Sequence, residues 1–444
     1  MTTVQMPAPS PIQNSERAKS RWAFFVWLFM LASFLSVRHR DAGDLMGEGG
    51  IDLQIKLQIL AWFLLGLLAL FLMGTKRAKV GLALQLPLFW YACYVLIAVA
   101  STAYSNSPEL TLFRSGQLVV AMLLILSMGD VLNKHIHNFV FVFLLANWVL
   151  VIMANTGLDF GQSWIRGERN MFMLTNRHSL EPWRFSSPLA HASQVSIVGA
   201  VSAIGLAFQM NRENRGRKLP LVAFTTLTVI LTVSRTAIAA MFLGFFIISI
   251  LKKQWLPYIL VAGIMVPIAI LFTPIGDKVV QFGMRGQSAD EFSSLTGRSD
   301  IYALGIERAT NALPLGEGFQ AGRANAIVAK TKGHSIVHSH NLFIESAVSM
   351  GILGLISAAM VLLTFTMALL MAIKNCPKGP IGVSQGWEPA LMTIPLFSFC
   401  ILDRGFSAPI CPFVCIFISV LTLTTRMLLN ANAAPEEAST TEVN

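Results

Sequence analysis

Apolar residues run in long blocks, separated by short clusters of charged residues, glycine, proline and asparagine. A bilayer core about 30 Å thick takes roughly 20 apolar residues wound as a helix. Windows of that kind fall near 22–37, 55–74, 80–101, 115–129, 136–155, 188–209, 219–234, 236–251, 255–273, 346–373, 388–402 and 406–425. The pattern predicts an all-α polytopic membrane protein with about 12 transmembrane helices. Only Ser234-Arg235 separates the seventh helix from the eighth, so the two are expected to meet in a tight turn.

Composition agrees with the pattern. Of 444 residues, 54% are hydrophobic and 13% charged, whereas an average soluble domain carries roughly a quarter charged residues. The chain lacks the polar side chains to coat a water-soluble fold. Lys+Arg outnumber Asp+Glu by 33 to 23, a net charge of +10. In a membrane protein such an excess is first tested against the bias of basic residues toward cytoplasmic loops. With the amino terminus inside, the cytoplasmic segments hold Arg17, Lys19 and Arg21; Lys76, Arg77 and Lys79; Lys134; Arg212, Arg215, Arg217 and Lys218; Lys252 and Lys253; and Lys374 and Lys378. Every inner loop is basic. The chain then divides into a cytoplasmic tail (1–21), helices one to nine (22–273), a periplasmic loop (274–345), helices ten to twelve (346–425) and a second cytoplasmic tail (426–444). The first helix lacks a small-residue cleavage site and reads as a retained anchor. The polar end from Pro435 to Asn444 reads as disordered.

The loop over 274–345 is the anomaly of this topology. At roughly 70 residues it exceeds the usual connection, and loops of that length are commonly functional. It is partly helical by pattern: Thr296 or Ser299 would cap the amphipathic run Ile301–Arg308, with Asp300 in its first turn. Arg298 then lies at a positive helix amino terminus, which suits an anion. The glycine-rich Leu315-Gly316-Glu317-Gly318-Phe319 breaks the helix.

Positive-inside loops do not account for the arginines of the outer face: Arg166, Arg169, Arg177 and Arg184 in the middle loop, Arg235 in the tight turn, and Arg285, Arg298, Arg308 and Arg323 in the long loop. Arginine's planar fork suits bidentate recognition of phosphate or carboxylate. Arg235, bordered by Ser234 and Thr236 between two apolar helices, reads as a ligand residue; the competing reading is snorkelling to lipid head groups. His334, His338 and His340 precede the tenth helix. No carboxylate or cysteine stands at convincing metal-ligand spacing beside them, so proton transfer is favoured over metal binding, with purely structural histidines as the bland alternative. The five cysteines form neither a zinc pattern nor a disulfide framework. Walker, nucleophile-elbow and Asp-x-Asp patterns are missing, which leaves no site for a soluble activated donor. An energy-rich substrate would have to arrive within the membrane, and a lipid-linked diphosphate fits the outer arginines.

Several short motifs follow in order: Arg184-Phe185 and Pro188; Leu231-Thr232-Val233-Ser234-Arg235-Thr236-Ala237; Gly297-Arg298-Ser299-Asp300-Ile301-Tyr302; Pro314-Leu315-Gly316-Glu317-Gly318-Phe319; His338-Ser339-His340-Asn341-Leu342-Phe343-Ile344-Glu345; and Gly351-Ile352-Leu353-Gly354. From about 184 to 360 the chain thereby resembles the O-antigen ligase and polymerase superfamily of bacterial membrane glycosyltransferases. Tyr302 stands where many relatives carry tryptophan. The resemblance implies a metal-independent enzyme of the inner membrane, without cofactor, that takes glycan from an undecaprenyl-diphosphate donor at the periplasmic face. The acceptor would be the lipid A core oligosaccharide, which makes the chain an enzyme of lipopolysaccharide biosynthesis. In this reading Arg235 and Arg298, with Arg184, clamp the diphosphate, and His340 is the catalytic base with His338 as its alternate. Asn341 orients the imidazole or a sugar hydroxyl, and Glu345 fixes the tautomer. Direct displacement with one base predicts inversion. A glycan polymerase and a protein O-oligosaccharyltransferase of the same superfamily are the near alternatives, and compact length favours the ligase. A secondary transporter is the distant one, disfavoured because no internal repeat is visible.

Overall fold

A computed structural model describes residues 27, 53–74, 80–155, 185, 190, 192–211, 213–232, 234–253, 298–321, 330–331, 334–335, 339–379 and 382–440. Its helices are α1 (Leu53–Gly74), α2 (Leu88–Ala100), α3 (Pro108–Lys134), α4 (Ile136–Asn155), α5 (Ala192–Gln209), α6 (Arg215–Leu231), α7 (Arg235–Lys252), α8 (Arg298–Ala312), α9 (Leu342–Asn375), α10 (Trp387–Leu402) and α11 (Pro412–Thr440). One two-residue antiparallel ladder joins β1 (Lys330–Thr331) to β2 (His334–Ser335). The protein is thus essentially all-α. Ten of the twelve apolar windows coincide with helices; those at 22–37 and 255–273 lie outside the described residues, apart from Trp27. Among the described residues, six helices are long and apolar enough to cross a membrane: α3, α4, α5, α7, α9 and α11. Apolar stretches within α1, α2 and α10 are shorter.

Small residues decide which helix lies at the centre. Along α5 the run from Val195 to Leu206 is buried without interruption, and it includes Ser196, Gly199, Ala200, Ser202, Ala203 and Gly205. Such side chains let neighbouring backbones approach closely where water supplies no hydrophobic drive. A β-carbon on Gly199 would come 2.8 Å from Val229 of α6, and one on Gly205 would meet His137 of α4. The periphery has the opposite character. Leu60, Phe63, Leu70 and Phe71 of α1 and Leu353, Leu363 and Leu370 of α9 are exposed, as an apolar lipid-facing surface requires.

Pairings between helices fix a common orientation. Gln209 at the end of α5 donates to Glu388 at the start of α10, and Gly205 faces Met392, so these two helices are antiparallel. Ile204 faces Gly244 of α7, and Lys252 Nζ donates to the Ala207 and Met210 carbonyls at 3.1 and 2.8 Å, so α5 and α7 are parallel. One end of the bundle gathers the basic termini Arg215, Arg217, Lys218, Lys252 and Lys374. The other gathers the ends of α6 and α10 with the starts of α5, α7 and α9: Phe185 N–H donates to Leu231 O at 2.8 Å, and Asn341 Nδ2 donates to Ile401 O at 3.1 Å.

Helix α9 is broken near this second end. Met350 has φ −133° and Gly351 φ 62°, neither of them helical. The carbonyls of Val348 and Ser349 instead accept from Glu317 N (2.9 Å) and Gly318 N (2.8 Å), and Ile352 N donates to Pro314 O at 3.0 Å. The segment Pro314–Phe319, expected only to end a helix, thereby fills the gap in another. Gly351 is required twice over, because its φ is left-handed and a β-carbon there would collide with the Pro314 carbonyl.

Other boundaries differ from expectation. α8 opens at Arg298, so Ser299 lies inside its first turn rather than capping it, and Thr296 lies outside the described residues. α9 begins at Leu342, four residues before the apolar window, because Asn341 caps it there. α11 runs on to Thr440 through residues read as a disordered tail; alanine and glutamate there are good helix formers. Gly351→Ala should destabilise the detergent-solubilised protein, read as a lowered melting temperature, by more than the about 1–3 kcal/mol of its glycine-only backbone conformation alone, since the Pro314 carbonyl must also move. Gly382→Ala, with φ 75° and open space around it, should cost only the backbone strain. Equal losses would mean that the Pro314 contact is easily relieved.

Candidate functional site

His340 sits in the residue pair before α9 and has φ 51°, a left-handed conformation that histidine tolerates better than most residues. Three elements hold it there. Asn341 caps the helix, its side-chain oxygen accepting from Phe343 N (2.9 Å) and Ile344 N (3.2 Å). On the other side, Ser339 donates from both N and Oγ to Glu345 Oε2, at 3.1 and 3.0 Å. Above, α8 crosses the turn: Tyr302 Oη donates to the His340 carbonyl at 3.5 Å, and a β-carbon on Gly305 would come 2.8 Å from Ile344 and 3.2 Å from Ser339. The aromatic hydroxyl and the side-chain-free glycine let α8 lie directly on the histidine turn.

The residues expected from the sequence divide accordingly. Asn341 uses its carbonyl oxygen on the helix cap and its amide on Ile401. The Glu345 carboxylate is engaged by Ser339, not by the imidazole, and so acts on His340 through its chain neighbour. Arg235 opens α7. Carried along the helices, the pairings of α5 with α7 and α10 bring Arg235 and Asp403 to the level of the first turn of α5. Arg298 opens α8, while Arg184 and His338 lie outside the described residues. Arg308, counted among the outer arginines, is occupied: its Nε and Nη2 bind the two oxygens of Glu317 at 2.7 and 2.6 Å.

The carboxylate beside the imidazole is one the sequence reading passed over. Asp403 Oδ1 lies 3.7 Å from His340 Nδ1. It also accepts the Arg404 backbone N–H at 2.8 Å and lies 3.8 Å from Arg404 Nε. Both residues stand in the turn between α10 and α11, outside the helical spans. A charged residue in a tight turn between two apolar helices is the signal that singled out Arg235, and Leu402-Asp403-Arg404-Gly405 carries it with two. Burial works to raise the Asp403 carboxyl, but the facing imidazole and Arg404 outweigh it and hold the group down to about 2. A carboxylate depressed in the folded chain stabilises the fold above its unfolded value of about 3.9 and loses that contribution as pH falls toward the folded value. Between about pH 4 and 2 the melting temperature of Asp403→Asn should therefore fall less steeply than that of the wild type. Parallel curves in detergent would contradict the charge pairing.

No curated protein matches the chain. Residues 220–359 match the family model described as O-antigen ligase. That stretch contains Arg235, Arg298, the Pro314–Phe319 segment, His340 and the break in α9, so the match falls on the elements that build the histidine end. The matched stretch is an O-antigen ligase domain, and it supports the resemblance to that superfamily.

Proposed function

We propose that the chain passes a glycan from an undecaprenyl-diphosphate carrier to the lipid A core oligosaccharide, at the periplasmic face of the bacterial inner membrane. Its family is one of glycosyltransferases of the O-antigen ligase and polymerase type. The observation that carries the reading to a mechanism is His340, locked by three elements and paired through Nδ1 with Asp403. It lies at the end of the bundle opposite the lysine-rich helix termini. Under the positive-inside rule the lysine end faces the cytoplasm, which gives both termini a cytoplasmic location and the histidine end a periplasmic one.

Chemistry follows from that pairing. With Nδ1 directed at Asp403, Nε2 is left to face an acceptor hydroxyl, and the carboxylate stabilises the imidazolium that forms. The acceptor oxygen bonds to the anomeric carbon as His340 takes its proton. The bond from that carbon to the diphosphate oxygen breaks, and the electron pair leaves on the lipid diphosphate. Arg235 and Arg298, joined by Arg184, take up the developing charge. Displacement from the opposite face inverts the anomeric centre, and no metal is needed. Asp403, not Glu345, is the carboxylate that faces Nδ1, and at 3.7 Å it acts through charge rather than a hydrogen bond, while Glu345 is engaged by Ser339.

A polymerase would use the same site with a growing glycan as acceptor, and a protein O-oligosaccharyltransferase with a hydroxyl side chain. Lipopolysaccharide from a strain lacking the gene separates these readings. Loss of all long chains from the core, with lipid-linked polymer accumulating, supports the ligase. A core bearing one repeat points to the polymerase, and an unchanged profile to a protein or another glycan as acceptor. The transporter reading gains a broken helix in α9, but Pro314–Gly318 backbone fills that break, leaving no open polar path there.

In a complementation assay, His340→Ala should cut transfer by about 10²–10⁴-fold with expression intact, and Asp403→Asn should impair it less. Normal transfer by His340→Ala would sink the assignment, and a dead His338→Ala beside an active His340→Ala would exchange their roles. Arg235→Lys keeps the charge but not the fork. It should fail to complement; full activity with lysine would reduce Arg235 to long-range attraction or snorkelling.

A further inference from the structure

Among the described arginines of the histidine end, Arg308 and Arg404 are held in opposite ways. Arg308 meets Glu317 in a close two-point pair, the geometry in which a guanidinium is fully satisfied. Arg404 is more enclosed, with 13% of its side chain exposed, yet its Nε and Nη1 are buried without a hydrogen-bond partner among the described residues. Its nearest carboxylate oxygen, Asp403 Oδ1, is 3.8 Å from Nε, beyond hydrogen-bond reach. That oxygen already accepts the Arg404 backbone N–H and faces His340. Asp403 therefore supplies charge to the guanidinium but no directional bond. The other buried acid nearby, Glu345, is engaged by Ser339.

The position of Arg404 is fixed from both sides. Its carbonyl accepts from Ser407 N and Oγ, at 3.1 and 2.6 Å, and buried Gln320 donates to the Ser407 carbonyl. The turn that presents the guanidinium is thus tied to the segment that fills the break in α9. Enclosed, unsatisfied donors on a rigid turn are costly to maintain, and an anion that accepts from them removes the cost. Because Asp403 lies between the imidazole and the guanidinium, an anion on Arg404 is held beside the base.

We infer that Arg404 is a phosphate-binding residue of this site, giving its buried guanidinium N–H groups to an oxygen of the lipid-linked diphosphate whose glycan is transferred. The inference rests on the proposed transferase reading and adds a donor on the α10–α11 turn to the arginines of α7 and α8. In the displacement, Arg404 meets charge that grows on the departing phosphate while Asp403 meets charge that grows on the imidazole. The two adjacent residues thus serve the two halves of one proton-coupled step.

Binding can be tested apart from transfer. The full chain in lipid nanodiscs is titrated with undecaprenyl diphosphate, undecaprenol and inorganic pyrophosphate, for wild type, Arg404→Gln and Arg404→Lys, with melting temperatures taken alongside. Arg404→Gln should weaken undecaprenyl diphosphate about tenfold or more and leave undecaprenol unchanged, and Arg404→Lys should restore only part of the loss. In turnover, the donor KM should rise while the pH midpoint of kcat/KM stays in place. Unchanged diphosphate affinity in both variants overturns the inference, and unchanged affinity with a moved pH midpoint overturns it in favour of a role exerted only through Asp403. If Arg404→Gln does not fold, Arg404→Lys decides on the same readouts. If the wild type binds pyrophosphate through Arg404 but not the lipid diphosphate, the anion site stands and the lipid-carrier reading falls. If neither diphosphate binds the wild type, the anion site falls.

Discussion

A helix flanked by lipid-facing side chains cannot lose backbone hydrogen bonds to water, so a break in it must be filled by protein. That constraint organises the histidine end. With Met350 and Gly351 out of helical geometry, the carbonyls of Val348 and Ser349 need donors, and a glycine-containing turn, in which a β-carbon on Gly316 would collide with the 349–351 backbone, comes close enough to supply them. Glu317 and Gly318 provide the two N–H groups, which fixes where Pro314–Phe319 must run. Glu317 also carries the carboxylate that grips Arg308, so filling the break positions α8. Because α8 lies on Ser339 and His340, the histidine is located by a chain of contacts that begins with two unpaired carbonyls.

Three acidic groups around the histidine turn each have a distinct assignment. Glu317 neutralises Arg308, Glu345 accepts from Ser339, and Asp403 is shared between His340 and Arg404. The first two are close hydrogen-bonded contacts. The third is a looser charge interaction in a mostly buried turn, and this is the arrangement in which a proton or an anion arriving at the site changes the balance most. A low-dielectric surrounding strengthens each such interaction. Structural pairs therefore have their bonds closed, whereas the Asp403 group retains capacity.

Much of this architecture was legible in the chain, for identifiable reasons. Helix positions followed from apolar length alone, which survives any choice of helix neighbours, and ten windows match helices. The Ser234-Arg235 turn and the helix through Ile301–Arg308 were marked by local chemistry. The break in α9 was not: Gly351 and Gly354 look alike in an apolar run, and only the backbone of a distant segment distinguishes them. The partner of Glu345 was misread for a related reason. Four positions of spacing place it one turn below Asn341, but its oxygen turns back to Ser339 because that backbone N–H, preceding the cap, has no helical partner. Asp403 is 63 positions from His340, and no local pattern links the two.

Restraint of His340 from three directions has a consequence for the proposed transfer. The cap at Asn341, the Ser339–Glu345 contacts and the Tyr302 hydroxyl all act on the backbone around His340. None of them depends on the acceptor. Loops that shape an acceptor site can change in length and sequence while His340, the proposed base, and Asp403 stay in register, since function resides in sites grafted on a retained frame. A ligase and a polymerase could share this base while differing in what is brought to it. On the proposed reading, residues that govern the choice of acceptor are therefore expected outside the α8–α9 contact, which holds His340 whichever hydroxyl is brought to it.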